Sequence, residues 1–353
     1  MSRTVADVLA SLPPPAGAPL PAPTYRRPDG EAGCRLGVLA AANRDHMTDE
    51  AYQLFLALEA GGYRLAGPGM PDGDASVPSL LARHRPGTVV LQDRRETDGL
   101  TAGGRRDPAL AVARPEALAP RDGVFRGSVL KDAQNDGASQ RSWAAEVGYH
   151  FWVVYYHPDV VCRLAPFVRR EHLVRTWHTL DEALVPRYRP EGRAGCLISG
   201  ALSAAYPLRT RLARAASRLP ETAVLPHPGY RRDGCATPAY LRTLSRYKVA
   251  VCTSSRYGYA LRKLIEATAA GCTVVTDLPT DEVMPMINGN LHRTHPAAST
   301  GEVAALVRRL LDGYDPARQA YFAAAAVAFY DYRVRGKALA ADIEALRRAY
   351  PCR

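Results

Sequence analysis

Between Tyr247 and Glu282 the chain reads YKVAVCTSSRYGYALRKLIEATAAGCTVVTDLPTDE, and this stretch admits few folds. Residues 248–252 form an apolar run too short for a helix and bounded by Thr253, Ser254 and Ser255, the pattern of a buried parallel strand. A loop turns at Gly258. Beyond it Ala260, Leu261, Leu264, Ile265, Ala267, Thr268 and Ala269 recur at helical spacing, Gly271 ends the helix, and residues 272–276 are a second strand. Strand, polar loop, helix, glycine and strand make the repeating unit of an open α/β sheet. Ligands of such sheets bind beyond the carboxyl ends of the strands.

The loop holding Tyr257, Gly258 and Tyr259 therefore belongs at a ligand crevice, with helix amides behind it that suit an anion. Arg262 and Lys263 place two cations in the first helical turn, where they oppose the helix dipole unless a phosphate sits between them. Glu266 lies one turn further on. Its carboxylate has the reach to accept hydrogen bonds from a sugar diol; an Arg262/Glu266 surface pair at i, i+4 explains the same spacing.

A chain of 353 residues is long enough for two domains with a core each. Residues 1–32 are a proline-rich lead-in with SLPPPAGAPLPAP at its centre, read as extended or poorly ordered and with no chemistry of its own; a short helix fits residues 5–12. Residues 33–186 read as one Rossmann-like domain. Strands at 34–40, 63–66 and 88–91 alternate with helices at 48–60 and 77–83, an order that calls for a right-handed, parallel, doubly wound sheet. Strands at 124–130 and 151–155 extend it. No G-x-G-x-x-G follows the first strand, which argues against a standard dinucleotide site there. A linker composition at 185–192 leads to a second Rossmann-like domain over 187–330, and the helical residues 331–353 are expected to return to the first domain, with a hinge at 333–336.

Lysine and arginine exceed aspartate and glutamate by 46 to 35, a net charge of +11 that favours phosphorylated ligands or anionic surfaces. The basic residues are scattered without interleaved aromatics, so nucleic acid is not the expected partner. The basic helix 208–218 raises peripheral contact with anionic lipid as an option, or simply a solvated face. Seven cysteines without a C-x-x-C pair read as free thiols of a reducing compartment. No apolar run nears the roughly 18 residues that span a bilayer. The expected location is the cytoplasm. Isolated histidines and the lack of a D-x-D at a strand end give no support to a metal, and no cofactor is expected.

YALRKLIEATAAGCTVVTDLPTDE resembles the donor-binding segment of the group-1-like glycosyltransferases of GT-B fold, and SGALSAAYPLR, HPGY, LQDRRE, LKDAQND and RTWHTLD have lookalikes in the same family. The resemblance spans most of residues 35–330. It implies two Rossmann-like doubly wound parallel-sheet domains facing a central cleft, a nucleotide-sugar donor and a small-molecule or envelope-precursor acceptor. By the same resemblance Glu266 holds the ribose, Ser199 and Gly200 open the donor domain with a glycine turn, and the loop of His227, Gly229 and Tyr230 lies beside the base. The large retaining families carry a second acid eight positions before the ribose glutamate; here that residue is Gly258, which leaves the stereochemistry open.

Leaving-phosphate stabilisation then falls to Arg209, Arg262, Lys263 and helix amides in place of a metal ion. Asp132 and His178, with Asp45 and His46 behind them, follow strand-like segments of the first domain and are the candidates for acceptor base. A histidine hydrogen-bonding beside Trp177 and a salt-bridged turn at Lys131-Asp132 account for the same residues without catalysis. A nucleotide-sugar epimerase of the same fold and a non-catalytic nucleotide-binding module are the alternative functions.

Overall fold

The computed structural model describes residues 3–26, 33–38, 49–66, 77–91, 123–130, 133–134, 141, 144–145, 147–226 and 237–351. The chain divides into two compact units, each assembled from separated pieces: residues 14–177 with 332–353, and residues 1–13 with 178–331. Helix α1 (Val5–Ser11) begins the second of these.

The first unit is built on a six-stranded parallel sheet. Along the chain come β1 (Arg35–Val38), α2 (Asp49–Ala60), β2 (Tyr63–Ala66), α3 (Val77–His84), β3 (Thr88–Leu91), β4 (Phe125–Leu130), β5 (Phe151–Val154), α4 (Pro158–Leu164) and β6 (Leu173–Arg175). The spatial order is β2-β1-β3-β4-β5-β6, with Val38 opposite both Ala66 and Leu91. Every residue of β3, β4 and β5 is buried, which is why these strands read as unbroken apolar runs and not as an alternation.

The second unit carries a five-stranded parallel sheet. Its elements are β7 (Ala194–Ser199), α5 (Pro207–Arg214), β8 (Thr222–Leu225), α6 (Thr237–Leu244), β9 (Tyr247–Val251), α7 (Arg262–Ala269), β10 (Thr273–Thr276), β11 (Leu291–Arg293), α8 (Thr300–Asp312) and α9 (Pro316–Tyr330). In the order β11-β10-β9-β7-β8, β8 lies on one side of β7 and the later strands on the other. The order reverses between β7 and β9, and the crevice beyond their carboxyl ends is the switch point where ligands bind. Ile198, Val249, Val251 and Val275 pack beneath it against Leu208, Leu212, Val303 and Val307, each of them fully buried. At about 1.5–3 kcal/mol per buried aliphatic side chain, this layer is what holds the strand ends in register. Ser299 and Glu302 close a capping box on α8, and Asp315 caps α9 ahead of Pro316.

Helix α10 (Tyr332–Ala349) belongs to the six-stranded unit and packs on α2. The chain breaks at Asp331, whose carboxylate accepts from the Glu182 amide, so residues 333–336 are continuous helix and not a hinge. The 185–192 stretch is no free linker either. The units divide between Trp177 and His178, and Arg193 anchors the start of β7 by donating to the carbonyls of Tyr247 and Ala270 while packing on the Tyr188 ring. Helix α7 begins at Arg262; Leu261 precedes it in extended backbone, and Ala260 lies outside the helix.

The lead-in is also more structured than its composition suggests. Val5 and Val8 are buried, and Tyr25 lies within a cluster of Phe125, His150 and Tyr350. His150 accepts the Arg126 amide at Nδ1 and donates from Nε2 to the Thr24 carbonyl, so it is held neutral. Burial, with Arg126 beside it, pushes its pKa down to about 4. Below about pH 6.5 the unfolded chain takes up a proton that the folded one refuses, so stability falls from there to about pH 4 and no further. We expect this residue to contribute a loss of about 3 kcal/mol over that window. Urea titrations at pH 7 and 4.5, on wild type and His150→Gln, check it: equal pH dependence in the two proteins refutes the assignment.

Candidate functional site

The carboxyl end of β7 passes into Ser199, Gly200 and Ala201, and that of β9 into Thr253 and Ser254. Proline at the first position of α5 starts that helix sharply, so Arg209 comes off its first turn pointing back under the β7 turn. There it is buried to 1% exposure, donating to the carbonyls of Ala201 (3.3 Å) and Thr253 (3.0 Å) and stacking on the Tyr206 ring. A Cβ placed on Gly200 would lie 2.5 Å from the guanidinium and 3.1 Å from the Lys263 side chain, so both cations close on this turn. The Thr253 hydroxyl and the Arg209 Nε are buried without a hydrogen-bond partner among the described residues.

Lys263 comes from the first turn of α7, a helix that no side chain caps. Its ammonium stands 4.2 Å from the centre of the Tyr240 ring. Part of the side chain still reaches solvent, but the ammonium itself is enclosed, and desolvation lowers its pKa against the opposing pull of Glu266. Tyr240 is locked in turn by a 2.6 Å hydrogen bond to Ser199. Arg262 faces the other way, toward α6: its Nε is 3.1 Å from Glu266 Oε1 and its terminal nitrogen donates to Thr237 (3.4 Å). The i, i+4 pair is thus formed, yet it is buried and not a surface pair, with 10% and 6% of the two side chains exposed. A buried charge pair on a helix that opens at a switch point is weak evidence for stability and fits a polar ligand nearby.

The loop after β9 is tightly held. Tyr257 and Tyr259 are both buried with ring centres 5.5 Å apart. Gly258 has φ +69°, and a Cβ there would come within 2.9 Å of Val8 and 3.1 Å of Pro279, so a larger residue does not fit. Asp277, just past β10, is buried and accepts the Ser254 amide at 2.6 Å; burial raises its pKa.

The structure thus brings Ser199, Gly200, Arg209 and Lys263 together, pairs Arg262 with Glu266 at the start of α7, and holds Tyr257, Gly258 and Tyr259 in the packed loop between β9 and α7. Thr253, Tyr240 and Asp277 join them without having stood out in the sequence. A threonine ending a strand and a tyrosine two turns before the next one carry no spacing signal. His178 is buried at 2% exposure, two residues before Leu180, whose amide donates to the Tyr330 carbonyl. Asp132, Asp45, His46, His227, Gly229 and Tyr230 lie outside the described residues. On the basic helix, Arg209 and Arg211 are engaged with backbone carbonyls, while Arg214 and Arg218 are exposed. Among the described residues no helix is long and apolar enough to cross a membrane.

No protein-family model matches the chain, and no curated protein matches it in sequence. Its fold does match solved structures. A sucrose-phosphate synthase from Thermosynechococcus elongatus superposes with a TM-score of 0.59 at 13% identity, covering 89% of this chain and 98% of its own. The Anabaena protein HepE in complex with UDP-glucose gives 0.56 at 12% identity, over 90% of this chain and all of that one (100%). A glycosyltransferase from Rickettsia africae gives 0.54 at 8% identity, over 93% and 100%. Two Rossmann-like units arranged in sequence as in these proteins make this a GT-B fold.

Proposed function

We propose that this chain, folded as the GT-B glycosyltransferases are, moves a glycosyl group from a nucleoside-diphosphate sugar to a small-molecule or envelope-precursor acceptor. The observation that carries the reading is the convergence of Arg209 and Lys263 on the Gly200 turn at the switch point, beside a Thr253 hydroxyl left without a partner among the described residues. Two cations converging on one glycine turn suit a diphosphate, and a dianionic ligand there would offset the desolvation that lowers the Lys263 pKa. That HepE was solved with UDP-glucose supports a uridine nucleotide as the first donor to try.

In this reading the 178–331 unit binds the donor and the 14–177 unit the acceptor. Arg262 holds one oxygen of Glu266 and leaves the other for the ribose hydroxyls. As the bond from the sugar to the phosphate breaks, negative charge grows on the diphosphate, and Lys263, Arg209 and the uncapped amides of α7 stabilise it without reorganising. Fixed positive charge does here what a metal ion does elsewhere, so the reaction is expected to run in the presence of a chelator. Asp132 and His178 remain the proposed acceptor bases, although His178, expected in the first domain, is the first residue of the 178–331 unit.

A panel of nucleotide sugars scored by thermal shift, followed by detection of free nucleoside diphosphate with and without acceptors, tests the proposal. We expect a stabilising shift with at least one donor and diphosphate release that depends on acceptor. An isomerised donor without release would mean an epimerase. No shift with any nucleotide sugar would overturn the proposal.

A further inference from the structure

Helix α1 lies on the five-stranded unit, far in sequence from the residues it touches. A capping box between Thr4 and Asp7 fixes its start. The Arg3 carbonyl accepts the Thr280 amide (2.9 Å), the Arg3 guanidinium donates to the Arg256 carbonyl (3.2 Å), and the Val5 amide donates to Asp281 (2.7 Å). Val8 is fully buried, its methyl filling the space where Gly258 lacks a side chain. The helix therefore bridges the two loops that follow β9 and β10, at the carboxyl edge of the sheet.

Arg262 joins Thr237 to Glu266 at the start of α7, the residues assigned above to the nucleoside. In that reading a sugar beyond the diphosphate would be set against the loops of Tyr257 to Tyr259 and Asp277 to Asp281, the two that α1 bridges. We infer that α1, through Arg3 and Val8, forms the wall of the donor-sugar subsite and sets which sugars it accepts; the inference rests on the donor reading above. Here Val8 closes the place over Gly258 by packing, and Arg3 positions the loop by holding the Arg256 carbonyl, so the first residues of the chain act as positioning residues for a site that starts more than two hundred residues later.

Arg3→Ala and Val8→Ala in the full-length chain test this by equilibrium binding, using the nucleoside diphosphate alone and a panel of its hexose and pentose conjugates. We expect the diphosphate Kd to stay within about twofold of wild type and the Kd of the preferred conjugate to rise about tenfold, with Val8→Ala shifting preference toward bulkier sugars. Arg3→Lys, which keeps a donor for the Arg256 carbonyl, should recover most of that loss, a rescue that simple loosening of the helix would not show. If both Kd values rise together, α1 only supports the fold, and if neither moves it has no part in the subsite; either result overturns the inference. Should the wild type bind no nucleoside diphosphate at all, the donor reading fails and takes this inference with it.

Discussion

Lys263→Ala is expected to lower kcat/KM for the nucleotide-sugar donor by about a hundred- to a thousandfold, the loss typical of removing one preorganised charge from a developing oxyanion. It is expected to do so without unfolding the protein. Desolvation already works against the Lys263 ammonium, so deleting it removes an unfavourable term along with any favourable one. Glu266 keeps its partner, since Arg262 Nε stays 3.1 Å from its carboxylate. Arg209 is a poorer probe of the same site: it is buried on the carbonyls of Ala201 and Thr253, and its truncation would leave both unsatisfied. Steady-state kinetics with a thermal melt alongside separate the two effects. Wild-type turnover in Lys263→Ala would remove the diphosphate from the switch point.

Gly336→Ala is expected to be the most damaging single methyl in the six-stranded unit. A Cβ at 336 would stand 1.7 Å from the Ala57 carbonyl oxygen, and one at Gly61 would stand 2.5 Å from the Gly336 carbonyl oxygen, so α2 and α10 meet backbone on backbone. No flexible side chain is available there to move aside. The helices must separate where Ala57 and Gly61 meet Gly336 and Ala340, at a cost of about 3 kcal/mol or more. For a unit of this size that is a fall of roughly 10 °C in Tm. All three tryptophans (143, 152 and 177) lie within residues 14–177, so fluorescence reports on this unit alone. Gly301→Ala is the control. It adds the same methyl to the first turn of α8, where the nearest atom is 3.9 Å away, and should be neutral or stabilising by up to about 1 kcal/mol. Equal effects of the two substitutions would show that helix propensity, not close approach, governs position 336.

Where local spacing decides structure, the sequence was legible. Strands β3, β5 and β10 are short apolar runs with polar boundaries, and the relation of Lys263 to Arg262 and Glu266 comes from one helical turn. Strand β11 escaped because Leu291-His292-Arg293 sits at the sheet edge with only its leucine buried, leaving no apolar signal. The hinge expected near Gly336 was a misreading of the same glycine: close packing of two helices and a break in one ask for the same residue. Long-range placement was not legible at all. Nothing in a proline-rich beginning announces that Arg3 will hold a carbonyl 253 positions away, nor that Tyr240 will lock Ser199 across 41. The glycine at 258, which departs from the two-acid pattern of the resembling families, becomes intelligible once Val8 and Pro279 are seen to crowd it.

The way the two units share out the chain also bears on how the protein is made. Residues 1–13 wait for partners between 178 and 331, whereas residues 14–177 are complete only with 332–353. As the polypeptide leaves the ribosome, the five-stranded sheet, though synthesised second, can therefore close first, and the six-stranded sheet synthesised before it must stand without α10 until that helix emerges. That reverses the usual order in which nascent domains mature. During this interval the face of α2 and its end that α10 will cover, Ala57 and Gly61 included, is the surface on which a chaperone would be expected to act.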